Sequence, residues 1–212
     1  MKKKVIKYST LAVAAVIVLV NSIYIADLDK IKAENLSKTF DPASYAADFW
    51  NNRLPSKLPE AVDAGELVRM LEEDKESAFD NYSNALGIGN IRYFLISGEG
   101  VVENVEENFV SIRTGYEESP LEVHIATEYI FGNAVRDASG IIDINEFSNT
   151  MDFNNISAEI NRIIRARVIP PFKEKVKKGD TAAFTGAMEL NREILNLERL
   201  EAIPIELIIK NR

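Results

Sequence analysis

Hydrophobic and polar positions divide this chain into three regimes. From Tyr8 to Ala26, nineteen residues carry no charge, and Leu11–Val20 is an unbroken apolar run directly behind Lys2, Lys3, Lys4 and Lys7. As a helix this stretch extends roughly 28 Å, close to the hydrocarbon thickness of a bilayer. From 41 to 86 the apolar positions recur at helical spacing. Asp41-Pro42 reads as an N-cap followed by a first-turn proline, and Tyr45, Ala46, Phe49 and Trp50 form a one-sided stripe. Leu54-Pro55 closes that helix; after Pro59 the pattern resumes through Leu67, Val68, Leu71, Ala78, Phe79 and Tyr82, and Gly87 and Gly89 end it.

From Ile91 the period changes to two. Tyr93–Ser97 leads through Gly98-Glu99-Gly100 into Val101–Val105, then Phe109–Ile112. Leu121, Val123, Ile125, Thr127 and Tyr129 alternate with Glu122, His124, Ala126 and Glu128, the pattern of a half-buried strand. A turn region holding Gly132, Asp137 and Gly140 precedes a further apolar run, Ile141–Ile144. Residues 157–168 return to helical spacing, with Ser157 as a cap and Pro170-Pro171 as the stop. Lys177-Lys178-Gly179-Asp180 makes a turn before Thr181–Leu190. Arg199–Ile203 and Ile205–Ile209 are the last strands, with Pro204 between them marking an edge or bulge.

The class this predicts is α+β: an N-terminal transmembrane anchor (1–26), a tether (27–40) and one extracytoplasmic domain (41–212). Within the domain, 41–90 is helical, 91–149 β-rich, and 150–212 a helix plus strands. The strands are expected to be antiparallel and barrel-like, OB-like and either single or duplicated, with an inserted helix.

Charge fixes the orientation. Lysines precede the apolar segment, and Asp27 and Asp29 follow it, which places the N-terminus on the cytoplasmic side. A cleaved signal peptide begins the same way, but a cut after Ala26 would put Tyr24 where a small side chain is needed. The chain has no cysteine, which excludes disulfides, thiol catalysis and lipid attachment through a thioether. Beyond the anchor, 33 acidic residues face the 21 basic ones that remain once the four N-terminal lysines are set aside, a net charge of −12. So acidic a surface repels polyphosphates and argues against a nucleic-acid partner.

Candidate chemistry is sparse. His124, the single histidine, lies in an alternating strand and reads as a solvent-facing residue without metal-binding or catalytic partners. No P-loop, dinucleotide fingerprint, HExxH or GxSxG occurs, and no cofactor or metal site is expected. Asp143, Glu146 and Asp152 lack the spacing and central glycine of a calcium loop. The least ordinary segment is Phe131–Gly140, with Phe147-Ser148-Asn149 beyond it. Arg136 and Asp137, adjacent on a loop, present a donor fork beside acceptors, and Asn149 adds an amide that donates and accepts. These groups suit a polyhydroxylated ligand, and equally a structural role in pinning the loop. Trp50 is a sugar-stacking platform or part of the core stripe. Acidic side chains are plentiful, so a carboxylate-dependent hydrolase of envelope glycans and a purely structural envelope protein stand as alternatives.

Five pieces taken in order carry a resemblance: Tyr45-x-x-x-Phe49-Trp50-Asn51; Gly98-x-Gly100-x-Val102; Gly132-x-Ala134-x-Arg136-Asp137-Ala138; Phe147-Ser148-Asn149; and Lys178-Gly179-Asp180 with Gly186-Ala187. Together they resemble a family of uncharacterised bacterial proteins described as predicted periplasmic lipoproteins, often encoded beside sugar ABC transporters. The resemblance implies a non-enzymatic accessory role in carbohydrate uptake, with transporter subunits as partners. It implies no catalytic residues. The missing lipobox cysteine sets this chain apart and favours a protein anchor.

Overall fold

The structure, a computed structural model, describes residues 40–87, 89–116, 119–147 and 149–210. The anchor (1–26) and nearly all of the tether (27–40) lie outside the described residues. Among the described residues, no helix is long and apolar enough to cross a membrane.

Helix α1 (Pro42–Asp48) starts as the sequence predicts: the Asp41 carboxylate accepts the Ala43 and Ser44 amides at 3.0 and 3.2 Å. It widens into a π turn (Phe49–Arg53) directly before Leu54-Pro55. The same happens later. Helix α5 (Thr150–Ile163) passes into a π turn (Ile164–Val168) before Pro170-Pro171, which open helix α6 (Ile169–Lys173). A proline ring collides with the carbonyl four residues back in α geometry, and a wider turn relieves that clash. Pro170-Pro171 therefore stand in the first turn of α6 instead of ending the helical path. Ser157 is not a cap but a residue inside α5, which begins seven residues earlier behind Asn149.

Between α1 and the main sheet come β1 (Val62–Asp63), α2 (Ala64–Glu73), α3 (Lys75–Tyr82) and β2 (Ser83–Asn84). The two short strands lie within the stretch expected to be wholly helical. Two residues carry no readable period. Strand β3 (Ile91–Val105) follows, then β4 (Phe109–Tyr116), β5 (Ser119–Ala126), β6 (Thr181–Asn191) and β7 (Leu200–Ile209). Pairing runs β3–β4–β5–β7–β6 and returns from β6 to β3, a closed circuit of five strands. The two β-rich stretches therefore zip into one sheet and do not duplicate a module. Not every pair is antiparallel, since β5–β7 and β1–β3 run parallel. The run Ile141–Ile144, expected as a strand, joins no sheet among the described residues and leads into a 3-10 turn (Ile144–Glu146).

The long strand β3 changes partners along its length. Ser97 pairs with Asp63 of β1, whereas Val101 pairs with Arg113 of β4. Gly100 sits at the change, where a Cβ would lie 2.0 Å from the Arg113 carbonyl oxygen. Only glycine lets the backbones approach so closely. In β7 the bulge foreshadowed by Pro204 is present: the register against β6 shifts between Thr185 and Gly186. Inside the circuit Phe94, Ile96, Val110, Ile112, Val123, Ile125 and Phe184 meet Leu67, Leu71 and Phe79 of α2 and α3. Helix α4 (Ala134–Ala138) packs on β3 and β6, and α1 packs on α5.

Candidate functional site

The segment expected as a loop around Arg136 and Asp137 is helix α4, a single turn buried along its whole length. Arg136 is 4% exposed and Asp137 3%. Their side chains are paired: Arg136 donates through Nε to Asp137 Oδ1 at 2.6 Å and through Nη2 to Oδ2 at 3.1 Å. Its Nη1 donates to the Phe153 carbonyl at 3.2 Å, and the guanidinium lies 3.6 Å above the Phe153 ring. Asn133 donates to Asp137 Oδ2 as well. Tyr93 donates to Asn133 Oδ1 at 3.3 Å. Burial, with the Glu189 and Asp137 carboxylates nearby, pushes the Tyr93 phenol up to about 12.

Arg136 lines two cavities, of about 410 and 400 Å³. The larger lies between the Ile130–Asn133 loop and one face of α5. Asn154, Ser157, Asn161 and Arg165 line it, spaced so that they share that face. The loop is strapped to the helix at two carbonyls: Asn161 donates to Gly132 at 2.8 Å, and Arg165 to Ile130. Gly132 takes φ +79°, a left-handed conformation that a β-carbon would strain. Between the two straps stands Phe131, 72% exposed. The Ser157 hydroxyl is buried and has no hydrogen-bond partner among the described residues, a state that costs about 1–3 kcal/mol.

Trp50 and Asn149 line neither cavity beside Arg136. Trp50 is half-buried in the first π turn. Asn149 is the N-cap of α5: its carbonyl accepts the Asp152 amide at 2.8 Å, and its amide donates to Asp152 Oδ2 at 2.7 Å. Of the four residues the sequence singles out, Arg136 and Asp137 meet, and the other two stand elsewhere. Asn154, Ser157, Asn161 and Arg165 were missed. Their signal was present, as polar residues at helical spacing alongside the buried Phe153, Ile156, Ile160 and Ile164.

His124 departs from its expected solvent-facing setting. Its ring stacks on Phe109 at 4.3 Å, with Nε2 3.1 Å from Glu122 Oε1 and Nδ1 buried without a partner. Ser111, its ladder neighbour, is fully buried, so the two make no nucleophile–base pair that a substrate could reach. Among the described residues, no three His, Cys, Asp or Glu side chains gather as a metal site.

Strand order, the parallel β5–β7 pair and a helical segment between the third and fourth strands of the circuit give a mixed α+β arrangement that is OB-like. A crystal structure of an OB-fold protein from Thermotoga maritima is similar: 27% identity, 82% of this chain and 100% of that chain covered, TM-score 0.73. Residues 13–208 match the model of a family described as predicted periplasmic lipoprotein, and the chain belongs to that family. No curated protein matches it.

Proposed function

We propose that this protein is a membrane-tethered extracytoplasmic component of a carbohydrate transport system, holding a polyhydroxylated ligand in the cavity between the Ile130–Asn133 loop and α5. One observation carries the reading: the polar side chains of Asn154, Asn161 and Arg165 line the same cavity as the exposed ring of Phe131. Amides donate and accept together, as vicinal hydroxyls require, while a flat ring covers the apolar face of a sugar. With no cysteine to carry a lipid, the uncharged segment Tyr8–Ala26 is the anchor in this proposal.

A thermal-shift titration of the detergent-solubilised full chain against pentoses, hexoses and their acids tests it. At least one compound should raise the melting temperature saturably, and Phe131→Ala should weaken its apparent affinity about tenfold. If no compound shifts the transition, ligand binding fails and protein–protein assembly is left.

A second reading has its own observation. Glu189 and Glu201, with the exposed Tyr129, line a cavity of about 310 Å³ on the other side of the Phe131–Asn133 loop, whose residues border both cavities. The two glutamates lie one position beyond the β6–β7 pair Met188–Ala202. Two facing carboxylates beside aromatic rings are the minimum that glycoside hydrolysis needs. Release of reducing ends from envelope glycan by the wild-type chain, lost in Glu201→Gln, would establish this reading over the first.

A further inference from the structure

We propose that the ligand of the Phe131 cavity carries an oxyanion, a carboxylate or phosphate ester on its polyhydroxylated body, and that Arg165 seats it. The inference rests on that cavity being the ligand site.

Charge supports it first. The domain beyond the anchor has a large excess of acidic residues, yet no aspartate or glutamate lines this cavity, while two arginines do. Those arginines differ. Arg136 spends its charge on Asp137. Arg165 is exposed and belongs to no ion pair among the described residues. A neutral sugar accepts hydrogen bonds from a guanidinium but leaves its charge unbalanced, whereas an oxyanion balances it and makes those hydrogen bonds charge-assisted on both sides.

Orientation supports it next. Arg165 lies in the π turn that Pro170-Pro171 impose on the end of α5, and one of its donors is tied to the Ile130 carbonyl. A guanidinium has five N–H donors in a fixed plane, so this tie aims the fork and leaves donors for a planar or tetrahedral anion. Ser157 stands two turns earlier on the same helix face, 7% exposed and without a partner. Its hydroxyl oxygen is closed off from the cavity, so Ser157 shapes the wall while Arg165 offers the donors. Asn161, between them, is already engaged with Gly132 and holds the loop in place.

The test is calorimetric titration of the solubilised full chain with matched sets: glucose, glucuronate and glucose 6-phosphate; galactose, galacturonate and galactose 6-phosphate. In at least one set an anionic member should bind about tenfold tighter than its neutral parent at low salt. The preference should shrink as sodium chloride rises. Arg165→Gln should bring acid and parent to the same affinity, and Arg165→Lys should restore part of the difference. The carboxylate and phosphate arms tell the two sources of the anion apart. Binding of neutral sugars with no anionic preference overturns this inference and leaves the sugar site standing. Absence of binding by every compound overturns both.

Discussion

Replacing Asp137 with alanine tests the structural centre of the site. The change deletes both hydrogen bonds that the carboxylate accepts from Arg136, at 2.6 and 3.1 Å, together with the one accepted from Asn133. The guanidinium, 4% exposed, keeps only the Phe153 carbonyl at 3.2 Å and the Phe153 ring. A buried charge stripped of its counter-ion costs about 3–5 kcal/mol. For a chain of this size each kcal/mol lowers the melting temperature by about 2–4 °C, so a loss of roughly 6–20 °C is expected. Circular dichroism of the solubilised full chain, by heat and by urea, reads it. The double variant Arg136→Met, Asp137→Leu removes both charges and keeps apolar bulk against Phe153, so it should recover most of the loss. A single variant within about 1 kcal/mol of wild type would show a pair behaving as though water-screened. A double variant as unstable as the single would show that packing, not the stranded charge, sets the cost. Either result refutes the reasoning.

Gly100→Ala should destabilise by about 3 kcal/mol or prevent folding, since its Cβ would meet the Arg113 backbone oxygen at 2.0 Å; denaturant titration checks it. Asp63→Ala removes the cap of α2, whose carboxylate accepts the Gly65 and Glu66 amides at 2.9 and 3.1 Å, and should cost about 1 kcal/mol in the same assay. Tyr93 ionises near 12, above the ordinary phenol value, so its neutral form is favoured by folding. That contribution is complete below pH 10 and is lost as pH rises through 10 to 12; absorbance titration at the phenolate band should show a late phase that Tyr93→Phe removes.

Much of the fold was legible in the sequence because its signals are periodic. The change from helical spacing to alternation at Ile91 marks the start of β3, Asp41-Pro42 caps α1, and Pro204 adjoins the β7 bulge. What escaped has no period. A five-residue helix buried on every side, as α4 is, shows no amphipathic stripe, and its flanking glycines read as a loop. A π turn adds one residue to a helix without disturbing the apolar pattern enough to be seen, so Pro170-Pro171 looked like an end. Alternation correctly sets His124 opposite Val123 and Ile125, which point into the core, but no local rule foretells that Phe109 covers its ring and takes it out of its expected solvent-facing setting. The site divided the same way. Arg136 and Asp137 were singled out as unusual, and their mutual pairing depends on α4; the lining from α5 became visible only once the loop was laid across it.

The central claim is that ligand enters between Phe131 and α5, and backbone amide NMR of the isotope-labelled full chain, titrated with the neutral and acidic sugars above, addresses it directly. The account predicts saturable shifts confined to Ile130–Asn133 and to the Asn154–Arg165 face of α5. No saturable shift with any compound, or shifts centred on Trp50 and Asn149 instead, would contradict it.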